Sequence, residues 1–256
     1  MKLHFLGTGA ADWQGPNEIG EYRRWTSTLV GGKMLIDMTM KILDQIADPG
    51  AITDVFFTHS HDDHFDLDAL RKLAPCRVYA HKSWAGTIAG DGLEVVALQI
   101  GIPVKTVCGY AVIPMPSNHS TGNEEETTLH YLIEGEGKRI LYATDGAWLL
   151  NQEHHIIGKK VLDAAIFDAT IGDGFDGDYR VFEHNSIDMV RLMVKTFQKT
   201  GRLREGAPVY LTHMARTLHA SQKEVEARLE KPFIACYDGL IVSVKRLSLP
   251  CTLPAH

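Results

Sequence analysis

Residues 58–64 read Thr58-His59-Ser60-His61-Asp62-Asp63-His64, directly after the apolar run Val55-Phe56-Phe57. No other stretch restricts the fold as strongly. Neutral imidazole and carboxylate are preferred ligands for zinc and similar divalent ions. His59 and His61 stand two positions apart. On a helix they would diverge, whereas a strand running into a turn can aim both at one point. The order His-x-His-x-Asp-His is a specific spacing rather than a histidine-rich composition. The chain must therefore end a strand here and bend its backbone around a metal.

Other polar residues also follow apolar strands. Residues 2–6 read as a first strand, and 26–30 with 33–36 as a hairpin around Gly31-Gly32. Asp37 ends that hairpin. It either caps a helix over 38–46 or accepts a hydrogen bond that orients a ligand histidine. His119 follows the strand at 110–115, Asp145 the strand at 139–143, and His213 the strand at 209–212. His184 lies just before a helix whose apolar positions Ile187, Val190, Met193, Val194 and Phe197 have helical spacing, with Ser186 as its natural N-cap. Glu124-Glu125-Glu126 reads as a solvated turn or a mobile rim, and His154-His155 as surface. Residues 233–235 and 240–244 read as a hairpin about Asp238-Gly239, and 250–256 as a loose tail.

Successive strands with sparse crossover helices imply an α/β chain of two packed sheets with helices outside. No linker or composition shift divides residues 1–256, so one domain is expected. The net charge of −6 with no basic block argues against holding extended nucleic acid by phosphate neutralisation. Cys76, Cys108, Cys236 and Cys251 are far apart and form no close-spaced metal knuckle. No apolar run reaches signal-peptide or transmembrane length. A cytoplasmic enzyme with no membrane partner is expected.

The 58–64 segment resembles the signature of the metallo-β-lactamase superfamily. The resemblance extends to the branch of cyclic-phosphate phosphodiesterases of phosphonate degradation and ribonuclease Z. It rests on Gly7-Thr8-Gly9, Leu35-Ile36-Asp37, Asn118-His119-Ser120, Asp145, His184, Leu211-Thr212-His213 and Tyr237-Asp238-Gly239. It implies a four-layer αββα sandwich of two mixed β-sheets. It also implies two divalent ions, zinc or manganese with iron also compatible. His59, His61 and His119 would hold one, Asp63, His64 and His213 the other, and Asp145 would bridge them. A hydroxide shared by the ions would attack a small phosphate ester, with a cyclic ribose phosphate among the candidates. His184 and Asp63 are the residues assigned to the chemistry, and Asp37 and Ser186 support them. The first loop, 11–24, has no cysteine, and Arg216 stands where the branch has a further histidine, so no structural zinc is expected. Ribonuclease Z-like RNA processing, lactone or thioester hydrolysis, and a non-catalytic metal-binding domain are the competing readings. A homodimer is compatible with the sequence.

Overall fold

Several strands carry apolar residues at successive positions, which a strand needs when both of its faces are covered. Ile140 and Tyr142 face one core, while the alternating Leu141 and Ala143 face another. Met34, Ile36 and Phe56 join the first of these cores, and Leu35, Val55 and Phe57 a third. The computed structural model describes residues 1–245 except Ala74, Asp91 and Asp176. The readings of Cys251 and of the 250–256 tail lie outside those residues.

One sheet is built from β1 (Lys2–Gly7), β2 (Ser27–Val30), β3 (Met34–Ile36), β4 (Asp54–Phe56), β5 (Arg77–His81), β6 (Glu94–Leu98) and a strand from the end of the chain. The other contains β7 (Val104–Lys105), β8 (Ala111–Pro116), β9 (Leu129–Gly135), β10 (Lys138–Ala143), β11 (Ala164–Asp168), β12 (Val209–Thr212) and β13 (Phe233–Ala235). The late strand of the first sheet is β14 (Leu240–Ser243). The orders are β14-β1-β2-β3-β4-β5-β6 and β13-β12-β11-β10-β9-β8-β7. Both sheets are mixed: β3 to β6 run parallel, as do β10 to β13, and the remaining pairs are antiparallel.

The sheets meet over an aromatic core. Phe56 stacks on Tyr79 at 4.1 Å and meets Tyr131 edge-on at 5.5 Å. Such pairs add about 0.5–1.5 kcal/mol beyond the area they bury. The outer face of the first sheet is covered by the 3-10 helix Met40–Gln45, α1 (Leu67–Leu70) and α2 (Ala85–Ile88). The outer face of the second is covered by α3 (Asn151–Ile157), α4 (Ile187–Lys199) and α5 (Gln222–Arg228). The layers are thus the expected αββα sandwich. No helix among the described residues is long and apolar enough to cross a membrane.

Two local expectations fail. The helix at 38–46 is a short 3-10 turn whose N-cap is Thr39, so Asp37 is not a cap. Residues 233–235 and 240–244 are not a hairpin, because β13 pairs with β12 while β14 pairs with β1 in the opposite sheet. Asp238-Gly239 is a crossing between layers, and the local turn signal is the same for both.

Candidate metal centre

The parallel strands end at one edge of the sandwich, and that edge collects the polar residues. β3 delivers Asp37, β4 delivers the 58–64 segment, β10 delivers Asp145, β11 ends in Asp168, and β12 delivers His213. The edge is sewn shut: Leu129 N donates to Thr58 O at 2.9 Å and Met214 N to Thr8 O at 3.0 Å. Asp37, Asp145 and His213 all have left-handed backbone, with φ of 60°, 54° and 57°. They are three of the five non-glycine residues with positive φ among the described residues. L-residues pay about 1–2 kcal/mol there, and such strain gathers where side-chain aim matters.

Two clusters result. In the first, His59 Nε2 lies 3.0 Å and His119 Nε2 3.2 Å from His61 Nδ1. In the second, His64 Nε2 lies 3.3 Å from His213 Nε2 and 3.4 Å from Asp63 Oδ2. Asp145 sits between them, with Oδ2 2.7 Å from His64 Nε2, and Oδ1 3.2 Å from His213 Nε2 and 4.0 Å from His119 Nε2. All seven side chains named for metal binding are therefore brought together.

The residues fit a divalent ion. A tetrahedral site with bonds of about 2.0–2.1 Å spaces its ligand atoms by roughly 3.3 Å. The imidazole nitrogens that face one another at 3.0–3.3 Å have that spacing. Asp145 Oδ2 makes no hydrogen bond of acceptable geometry among the described residues. It and His64 Nε2 aim at a common space rather than at each other.

The outward nitrogens of these rings are anchored. His64 Nδ1 lies 2.8 Å from Asp37 Oδ2, and Thr58 N donates to Asp37 Oδ1 at 2.8 Å. Thr58 Oγ1 lies 3.0 Å from His59 Nδ1, and Thr170 Oγ1 2.9 Å from His213 Nδ1. Asp37 therefore takes the orienting role left open above. Such partners fix the tautomer and direct the lone pair inward. Burial, with nearby His64, pushes the His59 pKa well below its ordinary value, and burial pushes His119 down to about 4. Both are then neutral lone-pair donors. Burial works against the charges of Asp63 and Asp145, but the imidazoles of His64 and His213 outweigh it and hold both carboxyls well below the usual range.

His184 lies against residues of both clusters. Its ring stacks on His213 at 5.4 Å and lies 4.9 Å from the His119 ring. Nδ1 lies 2.8 Å from Asp168 Oδ2. Burial opposes the charge on His184, but Asp168 and then Asp145 raise its pKa to about 9. Ser186 uses its Oγ to accept from Met189 N at 3.2 Å, so it starts α4. Its neighbour Asn185 does reach the site, accepting from Trp148 N and donating to Gly146 O just past Asp145.

Three contributors lie outside the residues assigned to the site from the sequence. Asp168 supports His184, and Thr170 lies against both His184 and His213. Glu126 accepts from Ser60 N at 2.8 Å and from Ser60 Oγ at 2.6 Å, which ties the acidic loop to the backbone between His59 and His61. Asp168 carries a signal, as a carboxylate ending a buried strand, and Glu126 lies in the run that reads as a solvated turn or a mobile rim.

A cavity of about 450 Å³ opens onto the clusters. Its walls include His61, His119, His184, Tyr179, Phe182 and Ala11. The first loop forms part of the wall and is fastened to the segment after His213. Trp13 Nε1 donates to Met214 O at 2.7 Å, and Arg216 N to Asp12 Oδ1 at 2.8 Å.

Comparison with known proteins places this geometry. The β-lactamase superfamily domain model matches residues 35–214. No curated protein sequence matches the chain. Among solved structures, a diphosphatase from the PhnP family is 21% identical over 94% of this chain and 96% of its own, with a TM-score of 0.69. Zn(2+)-bound PqqB from Methylobacterium extorquens is 20% identical over 95% and 100%, with a TM-score of 0.66. The short form of human tRNase Z is 17% identical over 96% and 100%, with a TM-score of 0.65. By the family match and the shared sandwich, the chain belongs to the metallo-β-lactamase superfamily, whose members are mostly metal-dependent hydrolases.

Proposed function

We propose that the chain is a phosphodiesterase that holds two divalent ions and cleaves a small phosphate ester, with a cyclic ribose phosphate as one candidate. His59, His61 and His119 would hold one ion and Asp63, His64 and His213 the other, with Asp145 shared. Zinc, manganese and iron all suit these donors. When bound, such a pair lowers the pKa of water and polarises a phosphoryl oxygen.

The observation that carries the reading is the Asp168–His184 pair at the cavity wall. Asp168 engages Nδ1, which leaves Nε2 for the cavity. From there His184 can grip a phosphoryl oxygen or pass a proton to the departing oxygen. Asp37, Thr58 and Thr170 hold the ligand rings so that turnover requires little reorganisation. The names of two structurally similar proteins, a diphosphatase and a tRNase Z, support phosphate chemistry.

The test is a screen of metal-reconstituted protein against phosphomonoester, phosphodiester, cyclic-phosphate and lactone substrates, with metal content measured in parallel. Cleavage of a phosphodiester or cyclic phosphate, lost together with bound metal in His59→Ala and Asp63→Ala, is the expected result. Full activity in either variant, or turnover of lactones alone, would reject the proposal.

A further inference from the structure

Tyr179 and Phe182 are the two most exposed large hydrophobic side chains among the described residues, at 76% and 77%. Both nevertheless line the cavity that contains His184. They stand three apart on the 3-10 helix Tyr179–Phe182. Three residues make one turn of such a helix, so both rings leave it on the same side. The turn is firmly tied. Arg180 donates through Nε and Nη2 to the Asp178 carboxylate at 2.8 and 2.9 Å. Phe182 O accepts from Asn118 Nδ2 at 3.3 Å, next to His119, and His184 N donates to Arg180 O at 2.8 Å. The backbone that carries the rings is thus fixed relative to His119 and His184. Exposed apolar surface held beside a polar site marks a binding surface.

Charge narrows what can bind. Among the described residues, Arg180 is the one arginine or lysine lining the cavity, and Asp178 already occupies its fork. Asp12 and Glu183 add negative charge to the same wall. A ligand carrying several phosphates would meet carboxylates there. An uncharged flat group would meet two rings, and a π-face stacks on aromatic side chains whatever its substituents.

We infer that Tyr179 and Phe182 form a platform selecting phosphate esters that carry one uncharged planar aromatic group, over alkyl esters and polyanionic strands. This rests on the phosphodiesterase reading of the centre. The aromatic group can be a nucleobase or a simple aryl ring.

Two matched pairs test it on the metal-reconstituted enzyme. Adenosine 2′,3′-cyclic phosphate is compared with base-free ribose 2′,3′-cyclic phosphate by KM. Phenylphosphonate is compared with methylphosphonate by calorimetric affinity, which needs no turnover. The wild type should favour the aromatic member of at least one pair by about tenfold, the order of one aromatic stack. Tyr179→Ala/Phe182→Ala should erase that gap, with the loss in KM rather than kcat, and Tyr179→Phe should retain it. A gap in the nucleoside pair assigns a nucleobase, and one confined to the phosphonates assigns a small aryl group. Equal values in both pairs would overturn the platform while leaving the phosphodiesterase reading intact. Absence of turnover on both cyclic phosphates would count against that reading, and the phosphonates would still decide the platform.

Discussion

Besides the His64–Asp37 pair of the centre, two further histidine–carboxylate pairs have nearly the same dimensions. His130 of β9 meets Glu153 of α3 at 2.7 Å, and His184 meets Asp168 of β11 at 2.8 Å. In both, the carboxylate's second oxygen is used locally: Glu153 Oε2 accepts from Leu150 N, and Asp168 Oδ1 from Thr170 N and Asn185 N. In both, burial opposes the imidazolium charge and the partner carboxylate outweighs it, raising the histidine pKa. They differ at the second nitrogen. His130 is wholly enclosed, and its Nε2 has no hydrogen-bond partner among the described residues, whereas the His184 ring opens on the cavity. Access, rather than strength of pairing, separates the enclosed pair from the one that opens on the cavity.

The largest expected effect is that of His184→Ala. It should lower kcat by about 10²–10⁴-fold, the range of a positioned acid or base, while bound metal, measured by elemental analysis, stays at the wild-type level. Glu153→Ala should do the reverse. Breaking a buried pair costs about 3–5 kcal/mol, to be read from denaturant unfolding, with activity per folded molecule unchanged. If Glu153→Ala removed activity from folded protein, or His184→Ala left turnover intact, the contrast between the pairs would collapse. Asp168→Asn is next, since partners that orient a site residue are worth about 10–100-fold. That loss should fall on kcat, with the secondary structure seen by circular dichroism retained.

The smallest effect is in the pH dependence of stability. Each histidine's folded pKa lies above its unfolded value of about 6.5. Each pair's contribution is then fully present below that pH and is lost as pH rises through the folded pKa, which for His184 is about 9. Glu153→Gln and Asp168→Asn should each flatten the wild-type fall in stability above about pH 6.5. Unfolding curves of both variants that keep the wild-type slope would show that neither pair is charged.

The centre was more legible in the sequence than its surroundings. His59, His61, Asp63 and His64 sit in one spaced motif, and His119, Asp145 and His213 each follow an apolar strand, so chain order alone placed them at strand ends. The supporting residues were not legible, because their meaning is set by pairing across the sheet. Asp168 and Thr212 are register partners, which brings Asp168 and Thr170 beside His213. Nothing local marks that adjacency. Glu126 is 66 positions from Ser60 and sits in a run of three glutamates that reads as a solvated turn or a mobile rim. Asp37 was ambiguous because a residue at the end of a strand can cap the next helix or reach back, and only its left-handed backbone decides. The β13–β14 segment failed for the same reason: a turn signal says that the chain reverses, not which sheet receives it.

The left-handed residues Asp37, Asp145 and His213 set stability against competence. A glycine at any of the three would relax the backbone by about 1 kcal/mol and would delete a side chain placed at the candidate centre. The backbone term favours glycine, but at Asp37 the deletion would also strand the buried Thr58 N and His64 Nδ1 at about 1–3 kcal/mol each, so the strain is retained by the bonds the side chain makes.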